Sequence, residues 1–311
     1  MLTANLAVKS PGTEMPTGTV VFAESMTNQV LATVAFTGAS ATASVPAGIG
    51  PKTVIAVYHG DNRFMDSSSA SAGQFAVLNA ASYKSTDLAP DQMVTVFTPA
   101  LTSQALAAAS LPLPVILGGV NVILTDSAGS LHHVPLIYVS SSQLSFLVPP
   151  DTAPGPAALR IECPGGNAVS AAVRIGSVSP GIFAAAANGQ GVAAAQILRI
   201  HPDGSQSPLE NVASYDSTSQ TWNALPIDRS LPDDEVYLVL YATGIRNHSA
   251  PVTVTINGQV CATQYAGSHP TYPGLDQVNV RLPAGAFDAG TATVEITADD
   301  IVSNTVNVLL Q

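Results

Sequence analysis

Residues 136–175 read LIYVSSSQLSFLVPPDTAPGPAALRIECPGGNAVSAAVRI, and the pattern of apolar residues in this segment predicts the kind of fold. Leu144, Phe146 and Val148 occupy every second position of one run. A second alternating run begins at Leu159, after a turn rich in proline and glycine. Apolar residues that repeat with a period of two indicate β-strands with one buried face. The stretch therefore predicts strands that pack against a core.

Most of this stretch recurs between Gln264 and Leu310. In the second copy Val278, Val280 and Leu282 again alternate with polar residues, and another alternating run follows a loop that contains a glycine. The same period of two predicts the same kind of strands. The recurrence indicates a β-module that is present twice.

The two copies extend to residues 84–178 and 230–311. When the two copies are aligned, apolar residues of one match apolar residues of the other. Tyr138 then corresponds to Tyr265, and Phe146 corresponds to Val280. We expect the two copies to pair their strands in the same order. They differ mainly by insertions at 125–133 and 268–274, which we expect to lie in surface loops.

The composition excludes several classes of function. Of the 311 residues 46% are hydrophobic, so we expect two or three folded domains rather than disorder. The formal net charge is -11 and no basic cluster offsets it, so nucleic acid and anionic lipid surfaces are poor partners. The longest weakly polar stretch, 105–119, is too short to cross a bilayer, and we expect no membrane insertion. The N-terminal residues lack a signal-peptide pattern, so we expect any export signal to lie outside this chain.

Residues 1–76 are expected to form a small sandwich of their own. Four short apolar runs, separated by Gly, Pro or Asn turns, begin near residues 16, 31, 41 and 52, as expected for strands. Two segments, PTGTV at 16–20 and AVYHGDNRF at 56–64, resemble the opening and closing motifs of the bacterial Ig-like repeat of type 3. This resemblance implies a module that is found in tandem in surface proteins.

Residues 77–311 carry a second, more specific resemblance. Its motifs include NAASY at 79–83, QLSF at 143–146, PGIF at 180–183, DQVNV at 276–280 and SNTV at 303–306. They resemble the C-terminal domain family first described from Solibacter-type proteins, and each half also resembles the IPT/TIG type of immunoglobulin-like domain. The resemblance implies a place at the end of a large exported protein. It implies no activity, because the family has none assigned.

We therefore predict an all-β chain of three immunoglobulin-like sandwiches in a row, with little or no helix. The predicted sandwiches are residues 1–76, 77–178 and 230–311. A connecting hairpin and loop are predicted over 179–229, with the hairpin turning at Asp203-Gly204. Ala100 to Ser110 is the only segment with room for a short helix.

No constellation in the sequence predicts a catalytic residue, a cofactor or a metal site. His132 and His133 are adjacent and would point to opposite faces of a strand, so we expect a solvated hairpin. The acidic pairs at 233–234 and 299–300 lack a calcium-loop pattern, and we expect solvated turn residues. Without a G-x-S-x-G elbow or a glycine-rich phosphate loop, we predict that the protein is not an enzyme and needs no cofactor.

The two cysteines are predicted to be free thiols. Cys163 and Cys261 both fall on the apolar phase of their strands, where small buried thiols are common. A disulfide between them would have to join the cores of two separate sandwiches.

Three aromatic residues could form a platform for sugar rings: Trp222, Tyr215 and Tyr272. The first two lie close together between the copies, and Tyr272 lies in a loop of the second copy. A second interpretation is that Trp222 caps the core between the copies, and the general burial of large aromatics favours it.

The function that these observations favour is a non-catalytic structural and interaction module of a larger exported protein, secreted or at the cell surface. Its partners would be an unidentified protein or glycan surface and neighbouring Ig-like domains of the same polypeptide. A carbohydrate-binding module that uses loop aromatics such as Trp222 is the alternative. Binding requires exposed aromatics with polar neighbours, whereas a spacer would bury them.

Overall fold

The fold is seen in a computed structural model that describes residues 2–6, 8, 15–24, 30–36, 40–43, 53–61, 63–65, 67–68, 72–73, 76–98, 101–166, 168–230, 233–282 and 285–311. Within these ranges every regular element is a β-strand, which confirms the prediction of an all-β, immunoglobulin-like chain. The chain divides into two compact units, Met1–Ala76 with Phe97–Pro99, and Val77–Val96 with Ala100–Gln311. Among the described residues, none lies in a helix with the length and hydropathy that crossing a membrane requires.

The first unit has two antiparallel sheets. Its strands are β1 (Leu2–Asn5), β2 (Thr19–Glu24), β3 (Val30–Ala35), β4 (Ser40–Ala43), β5 (Thr53–Tyr58), β6 (Ser67–Ser68) and β7 (Ala72–Gly73). β2 lies between β3 and β5, while β1 pairs with β4. The alternation of β2 buries Val20 and Phe22, which pack with Ala41, Val54 and Tyr58 in the core of this unit.

The two segments that resemble an Ig-like repeat of type 3 contact each other in the first unit. The Asp61 carboxylate accepts hydrogen bonds from the backbone N–H and the hydroxyl of Thr17, at 2.8 and 3.0 Å. It also accepts from the backbone N–H of Phe64, and the Tyr58 hydroxyl donates to the Thr17 carbonyl. The hydrogen bonds from Thr17 hold the pKa of Asp61 well below its usual range. The opening and closing motifs are therefore joined by one network of hydrogen bonds.

The second unit begins with a sandwich of two antiparallel sheets. Its strands are β8 (Ala76–Asn79), β9 (Met93–Phe97), β10 (Leu106–Ala107), β11 (Ile116–Leu117), β12 (Val120–Thr125), β13 (Leu131–His133), β14 (Leu136–Val139), β15 (Gln143–Leu147), β16 (Gly155–Glu162) and β17 (Ala168–Ile175). One sheet has the order β10-β14-β15-β9-β8 and the other β11-β12-β16-β17, with β13 beside β12. The alternating residues Leu144, Phe146, Leu159 and Ile161 are all buried.

The segment that had room for a short helix is extended instead. Within residues 101–110 the only regular element is β10, which pairs with β14 through Leu106 opposite Val139 and Ala107 opposite Tyr138. The open edge of β14 offers backbone hydrogen bonds to this segment, and edge pairing satisfies its polar groups. The described residues 101–110 therefore contain no helix, which agrees with the prediction of little or no helix.

The rest of the second unit forms another sandwich. The strands of this region are β18 (Gly181–Ile182), β19 (Ala195–Ile200), β20 (Glu210–Asn211), β21 (Ala213–Asp216), β22 (Thr221–Ala224), β23 (Pro226–Ile227), β24 (Glu235–Thr243), β25 (Thr253–Ile256), β26 (Gln259–Cys261), β27 (Thr263–Ser268), β28 (Asp276–Leu282), β29 (Gly290–Ala298), β30 (Ile301–Val302) and β31 (Val306–Leu310). Of these, β21 and β22 form a separate two-stranded sheet. One sheet has the order β20-β19-β24-β28-β27, with β18 beside β24. The other has the order β23-β31-β29-β25-β26, with β30 beside β29.

Residues 179–229, expected to connect the copies, contribute strands to this sandwich. β18 and β19 both pair with β24, and β23 pairs in parallel with β31. The predicted turn at Asp203-Gly204 is confirmed by the Gly204 N–H, which donates to the His201 carbonyl at 2.8 Å. The buried residues Ile182, Ile197 and Ile227 of this segment belong to the core of the second sandwich.

The two copies pair their strands in the same order and register. The order β9-β15-β14 in one corresponds to β24-β28-β27 in the other, and β12-β16-β17 corresponds to β25-β29-β31. Leu136 lies opposite Phe146 and Thr263 lies opposite Val280. In each copy the register shifts at the next step, before Tyr138 and before Tyr265. The expected equivalence of these residues is thus confirmed by backbone pairing.

The Asn79 side chain of the NAASY motif packs against the backbone at the start of the PGIF motif, where the chain passes from the first sandwich of the second unit to the second. The Asn79 side chain is buried and donates to the Ser179 carbonyl at 2.8 Å, while its Oδ1 accepts from the backbone N–H of Ala81. A Cβ at Gly181 would lie 2.4 Å from this Oδ1, so only glycine fits beside Asn79. The two motifs are therefore parts of one junction.

Asn304 of the SNTV motif supports the same region. Its buried side chain accepts from the Ile182 N–H at 2.8 Å and donates to the carbonyls of Ile182 and Gly189, both at 2.9 Å. Buried backbone groups need such partners, because an unsatisfied group destabilises the fold. Asn304 thereby fixes the chain that enters the second sandwich.

Candidate functional site

Trp222 lies on a short hairpin formed by β21 and β22. Tyr215 is directly opposite it, and the two ring centroids are 5.4 Å apart. Trp222 is 41% exposed and Tyr215 is 52% exposed. The interpretation of Trp222 as a buried cap is therefore wrong. Among the described strands, β21 and β22 pair only with each other, so their side chains are not enclosed between the sheets.

Tyr272 lies in the loop between β27 and β28, and His269 orders this loop. The Nδ1 atom of His269 accepts from the backbone N–H groups of Thr271 at 3.1 Å and of Tyr272 at 3.3 Å. Because Nδ1 is an acceptor, the ring proton of the neutral imidazole lies on Nε2. The ring packs against Tyr241 and Tyr272, with centroid distances of 5.9 and 5.1 Å. Tyr272 itself is 61% exposed.

Trp222 and Tyr272 line one groove of about 470 Å³, which we call the aromatic groove. Alanines from residues 184–185 and 193–195 also line it. These two segments pair through Ala184 and Ala193. Alanine side chains are short, so they leave space beside the indole that larger residues would fill. The other lining residues are Gln196, Asn211, Ala213, Tyr241, His269 and Leu275.

Three polar side chains of the aromatic groove form a hydrogen-bonded chain. The Tyr241 hydroxyl donates to Gln196 Oε1 at 2.5 Å, and Gln196 Nε2 donates to Asn211 Oδ1 at 3.0 Å. Burial raises the pKa of Tyr241, so its phenol stays protonated and donates at neutral pH. Each amide nitrogen carries two N–H groups, which gives Gln196 and Asn211 further donors for a ligand.

The three residues predicted to form a platform, Trp222, Tyr215 and Tyr272, lie in or next to the aromatic groove. Trp222 and Tyr272 line the aromatic groove, and Tyr215 supports Trp222 from the neighbouring strand. Tyr241, His269 and the alanine segments also line the groove and were not predicted from the sequence. A run of small residues beside polar ones carries no period of two, so it gave no signal of a groove.

Some acidic and histidine residues differ from their expected roles. Asp234 is not a solvated turn residue, because its buried carboxylate pairs with His201 Nδ1 at 3.0 Å. His132 is not solvated either, since its Nε2 lies 2.9 Å from the buried Asp126 carboxylate. The partner of Asp234 is 33 residues away in sequence, whereas Asp126 and His132 are six residues apart in the same hairpin. Asp233 and His133 are exposed, as expected.

The Asp299-Asp300 pair is a turn, as predicted. Both residues have positive φ angles, 44° and 65°. Asp299 also accepts hydrogen bonds from the backbone N–H groups of Ser249 and Ala250, at distances of 2.9 to 3.0 Å. These bonds, the one from Ala250 foremost, lower the pKa of Asp299. The carboxylate ties two loops together and has no contact that suggests catalysis.

Both cysteines lie in the interior of the second unit. Cys163 and Cys261 are free and buried, as predicted, and burial raises the pKa of both thiols. Within the described residues, no group of three or more His, Cys, Asp and Glu side chains is arranged to hold a metal ion.

No family model matches the chain, and no curated protein matches it. Among solved structures, the chain is similar to SGBP-B of the Bacteroides ovatus mixed-linkage glucan utilization locus in complex with a mixed-linkage heptasaccharide, with 11% identity and a TM-score of 0.32. That similarity covers 100% of this chain and 63% of the SGBP-B chain, so the chain spans less than two thirds of that protein's length. It is also similar to Dpr2 Ig1-Ig2 in complex with DIP-Theta Ig1-Ig3, with 8% identity, a TM-score of 0.22, and 94% of this chain and 88% of the other covered. The titin Ig tandem A164-A165 has 12% identity, a TM-score of 0.18, and coverages of 72% and 90%.

Proposed function

We propose that the chain is a non-catalytic, extracellular interaction module that binds a neutral carbohydrate in the aromatic groove. The observation that carries the proposal is the exposure of Trp222 and Tyr272 on the same groove. An exposed aromatic pair beside fixed polar groups is what sugar binding requires, and it was the alternative that the sequence left open.

The groove offers the two kinds of contact that a sugar ring needs. One face of a pyranose is covered by C–H groups, which pack on the apolar face of an indole or a phenol. The hydroxyl groups at the rim of the ring need hydrogen-bond partners. Tyr241, Gln196 and Asn211 supply donors and acceptors whose directions are set by their own hydrogen bonds. A largely apolar site with a few oriented polar groups is typical of ligand pockets.

Charge favours a neutral ligand. The described residues that line the aromatic groove carry no arginine or lysine, which proteins use to bind carboxylates and sulfates. The net charge of -11 further disfavours polyanions.

The same lining favours binding over cleavage. Most glycoside hydrolases place a pair of Asp or Glu residues on either side of the scissile bond. The described residues of the aromatic groove include neither. We therefore assign recognition to this site, without hydrolysis and without a cofactor.

We further propose that the chain belongs to the Solibacter-type C-terminal family and follows an Ig-like repeat of type 3, at the end of a protein that is secreted or held at the cell surface. The contacts of Asn79 with Ser179 and of Asn304 with Ile182 support this, because residues of three of its motifs meet around one junction. A hydrogen-bonded junction of this kind also suits a spacer that presents a binding site.

An array of neutral and anionic polysaccharides tests the proposed function. We expect the whole chain to bind one or more neutral glycans, and Trp222→Ala and Tyr272→Ala each to lower the affinity by about tenfold or more. Val260→Ala is the control, because Val260 is exposed on β26, outside the groove. Binding that is confined to anionic glycans, or that survives both substitutions in folded protein, contradicts the proposal.

A further inference from the structure

A second cavity continues the aromatic groove on the other side of Tyr272. It measures about 740 Å³ and lies between the two sandwiches of the second unit. We call it the apolar extension. The groove and the extension share five lining residues: Ala184, Ala194, Tyr241, Tyr272 and Leu275. Because Tyr241 and Tyr272 border both, a ligand on the aromatic groove can continue into the extension.

The walls of the apolar extension differ in chemistry from those of the groove. Leucine, isoleucine, methionine, phenylalanine, proline and alanine side chains make up most of its lining. Apart from the shared tyrosines, only Ser110 and Thr271 bring hydroxyl groups. No charged residue is among the described residues that line it.

Leu111 exposes apolar surface to solvent at the wall of the apolar extension. It is 60% exposed at the wall, close in sequence to Leu113, which also lines the cavity. Exposed leucines that adjoin further apolar surface are unfavourable in water unless something covers them. Sugar rings are a poor cover, because their hydroxyl groups would lose hydrogen bonds to water without gaining partners in the wall.

We propose that the ligand of the chain is a neutral glycan that carries an apolar tail, with the sugar on Trp222 and Tyr272 and the tail in the apolar extension. This inference rests on the proposed function and names the chemical class of its ligand. Its physical basis is the change from oriented polar groups to an apolar wall across the ring of Tyr272. An alkyl or acyl chain is the moiety whose burial matches such a wall.

Alkyl maltosides provide a direct test, because one sugar head can be combined with tails of increasing length. Octyl, decyl and dodecyl β-maltoside would be titrated below their micelle concentrations, with free maltose as the reference. The chain has a single tryptophan, Trp222, so intrinsic fluorescence reports from the groove itself. We expect the Kd to fall by up to about fourfold for each added methylene, the effect of burying a CH₂ group.

Leu111→Ser separates the extension from unspecific adsorption of the tail. We expect it to flatten the dependence of the Kd on tail length, while Leu131→Ser leaves that dependence unchanged. Leu131 is a suitable control, because it is exposed on β13 and does not line the cavity. Both leucines are exposed, so neither substitution should unfold the protein.

The outcomes distinguish this inference from the proposed function. If a neutral glycan from the array binds through Trp222 but tail length has no effect, the inference is wrong and the proposed function stands. If tail length matters equally in wild type and Leu111→Ser, the tail binds elsewhere and the inference is again wrong. If the tail binds to the extension but Trp222→Ala leaves every glycan bound as before, both the inference and the proposed function are wrong.

Discussion

Gly244 shows at the scale of single residues how closely the segment that joins the two sandwiches packs against the end of β24. It has a φ of +77°, and a Cβ at this position would lie 2.2 Å from the Ser179 carbonyl oxygen. Only glycine avoids this clash with the backbone. The position follows β24 directly, where the chain turns toward the first sandwich.

Gly244→Ala should destabilise the second unit strongly. Gly258 is a matched control, because its φ of +78° is nearly the same and nothing lies within 4 Å of its Cβ position. Both substitutions introduce the same backbone strain, of order 1–2 kcal/mol, and only Gly244→Ala adds the clash. We expect chemical denaturation to give a larger loss for Gly244→Ala than for Gly258→Ala. Equal losses would show that Ser179 is not held against this glycine.

Asp126 predicts a dependence of stability on pH. Its carboxylate accepts from His132 and from the backbone N–H groups of Ala153, Ser130 and Ala128, and these bonds, that of His132 first, hold its pKa well below the usual range. A carboxyl whose pKa is lowered by folding stabilises the fold above its unfolded pKa of about 3.9. That contribution is lost as the pH falls through the folded pKa.

Asp126→Asn should therefore lower the melting temperature at pH 7, and the difference from wild type should shrink as the pH is lowered from about 5 towards 2. Thermal unfolding followed at several pH values measures it. Asp233→Asn is the control, because Asp233 is exposed. A difference between wild type and Asp126→Asn that is constant over this range would show that the charge of Asp126 contributes nothing.

The burial of Trp222 was the residue-scale property that the sequence predicted wrongly. Large aromatics are usually buried, and nothing in the local pattern contradicts that expectation. Trp222 is exposed because its hairpin pairs with neither main sheet, which is a property of the tertiary structure. Phe146 and Val280 were predictable, since the period of two specifies their faces directly.

At the scale of elements, the hairpin of β21 and β22 depends on its own side chains. An isolated two-stranded hairpin is marginally stable in water, and cross-strand aromatic pairs are among its main sources of stability. Tyr215 and Trp222 are such a pair. The orientation of Trp222 in the aromatic groove therefore depends on a residue that does not line it.

Tyr215→Ala should weaken glycan binding although Tyr215 lies outside the groove. We expect faster amide hydrogen exchange across residues 213–224 and a severalfold loss of affinity, because a cross-strand pair contributes about 0.2–1 kcal/mol. Tyr215→Phe keeps the ring and should retain both properties. Unchanged exchange in Tyr215→Ala would show that the backbone alone holds the hairpin.

The elements of the two copies were largely predictable from sequence, and the elements between them were not. The alternating runs of β15 and β28 specify both strands and faces. Two-residue strands such as β10 and β18 are too short for any period and form because a neighbouring strand offers its edge. The same reason explains why residues 179–229 join the second sandwich.

At the scale of the whole second unit, hydrogen bonds join the two sandwiches. The Met93 N–H donates to Thr243 Oγ1 at 2.8 Å, and Thr243 donates to the Gly274 carbonyl at 2.7 Å. Asn247 donates to the Pro90 carbonyl at 2.9 Å. Because the apolar extension lies between the same sandwiches, its shape depends on this junction.

Leu240→Ala tests whether the second unit unfolds cooperatively. Leu240 is fully buried in the second sandwich, and its truncation should cost about 2–5 kcal/mol. We expect the slowest amides of β15, in the first sandwich, to exchange faster by the same factor as those of β28. Leu209→Ala, at an exposed position, is the control. Faster exchange confined to the second sandwich would show that the two unfold independently.

The indole N–H of Trp222 provides the most direct test of the aromatic groove as a carbohydrate site. Since the chain has one tryptophan, its side chain gives a single indole peak in a ¹H–¹⁵N correlation spectrum. Addition of the neutral glycan selected on the array should shift this peak in a saturable manner, with a Kd equal to that measured by calorimetry. A peak that stays in place at concentrations where the glycan is bound would contradict the assignment of the groove as its site.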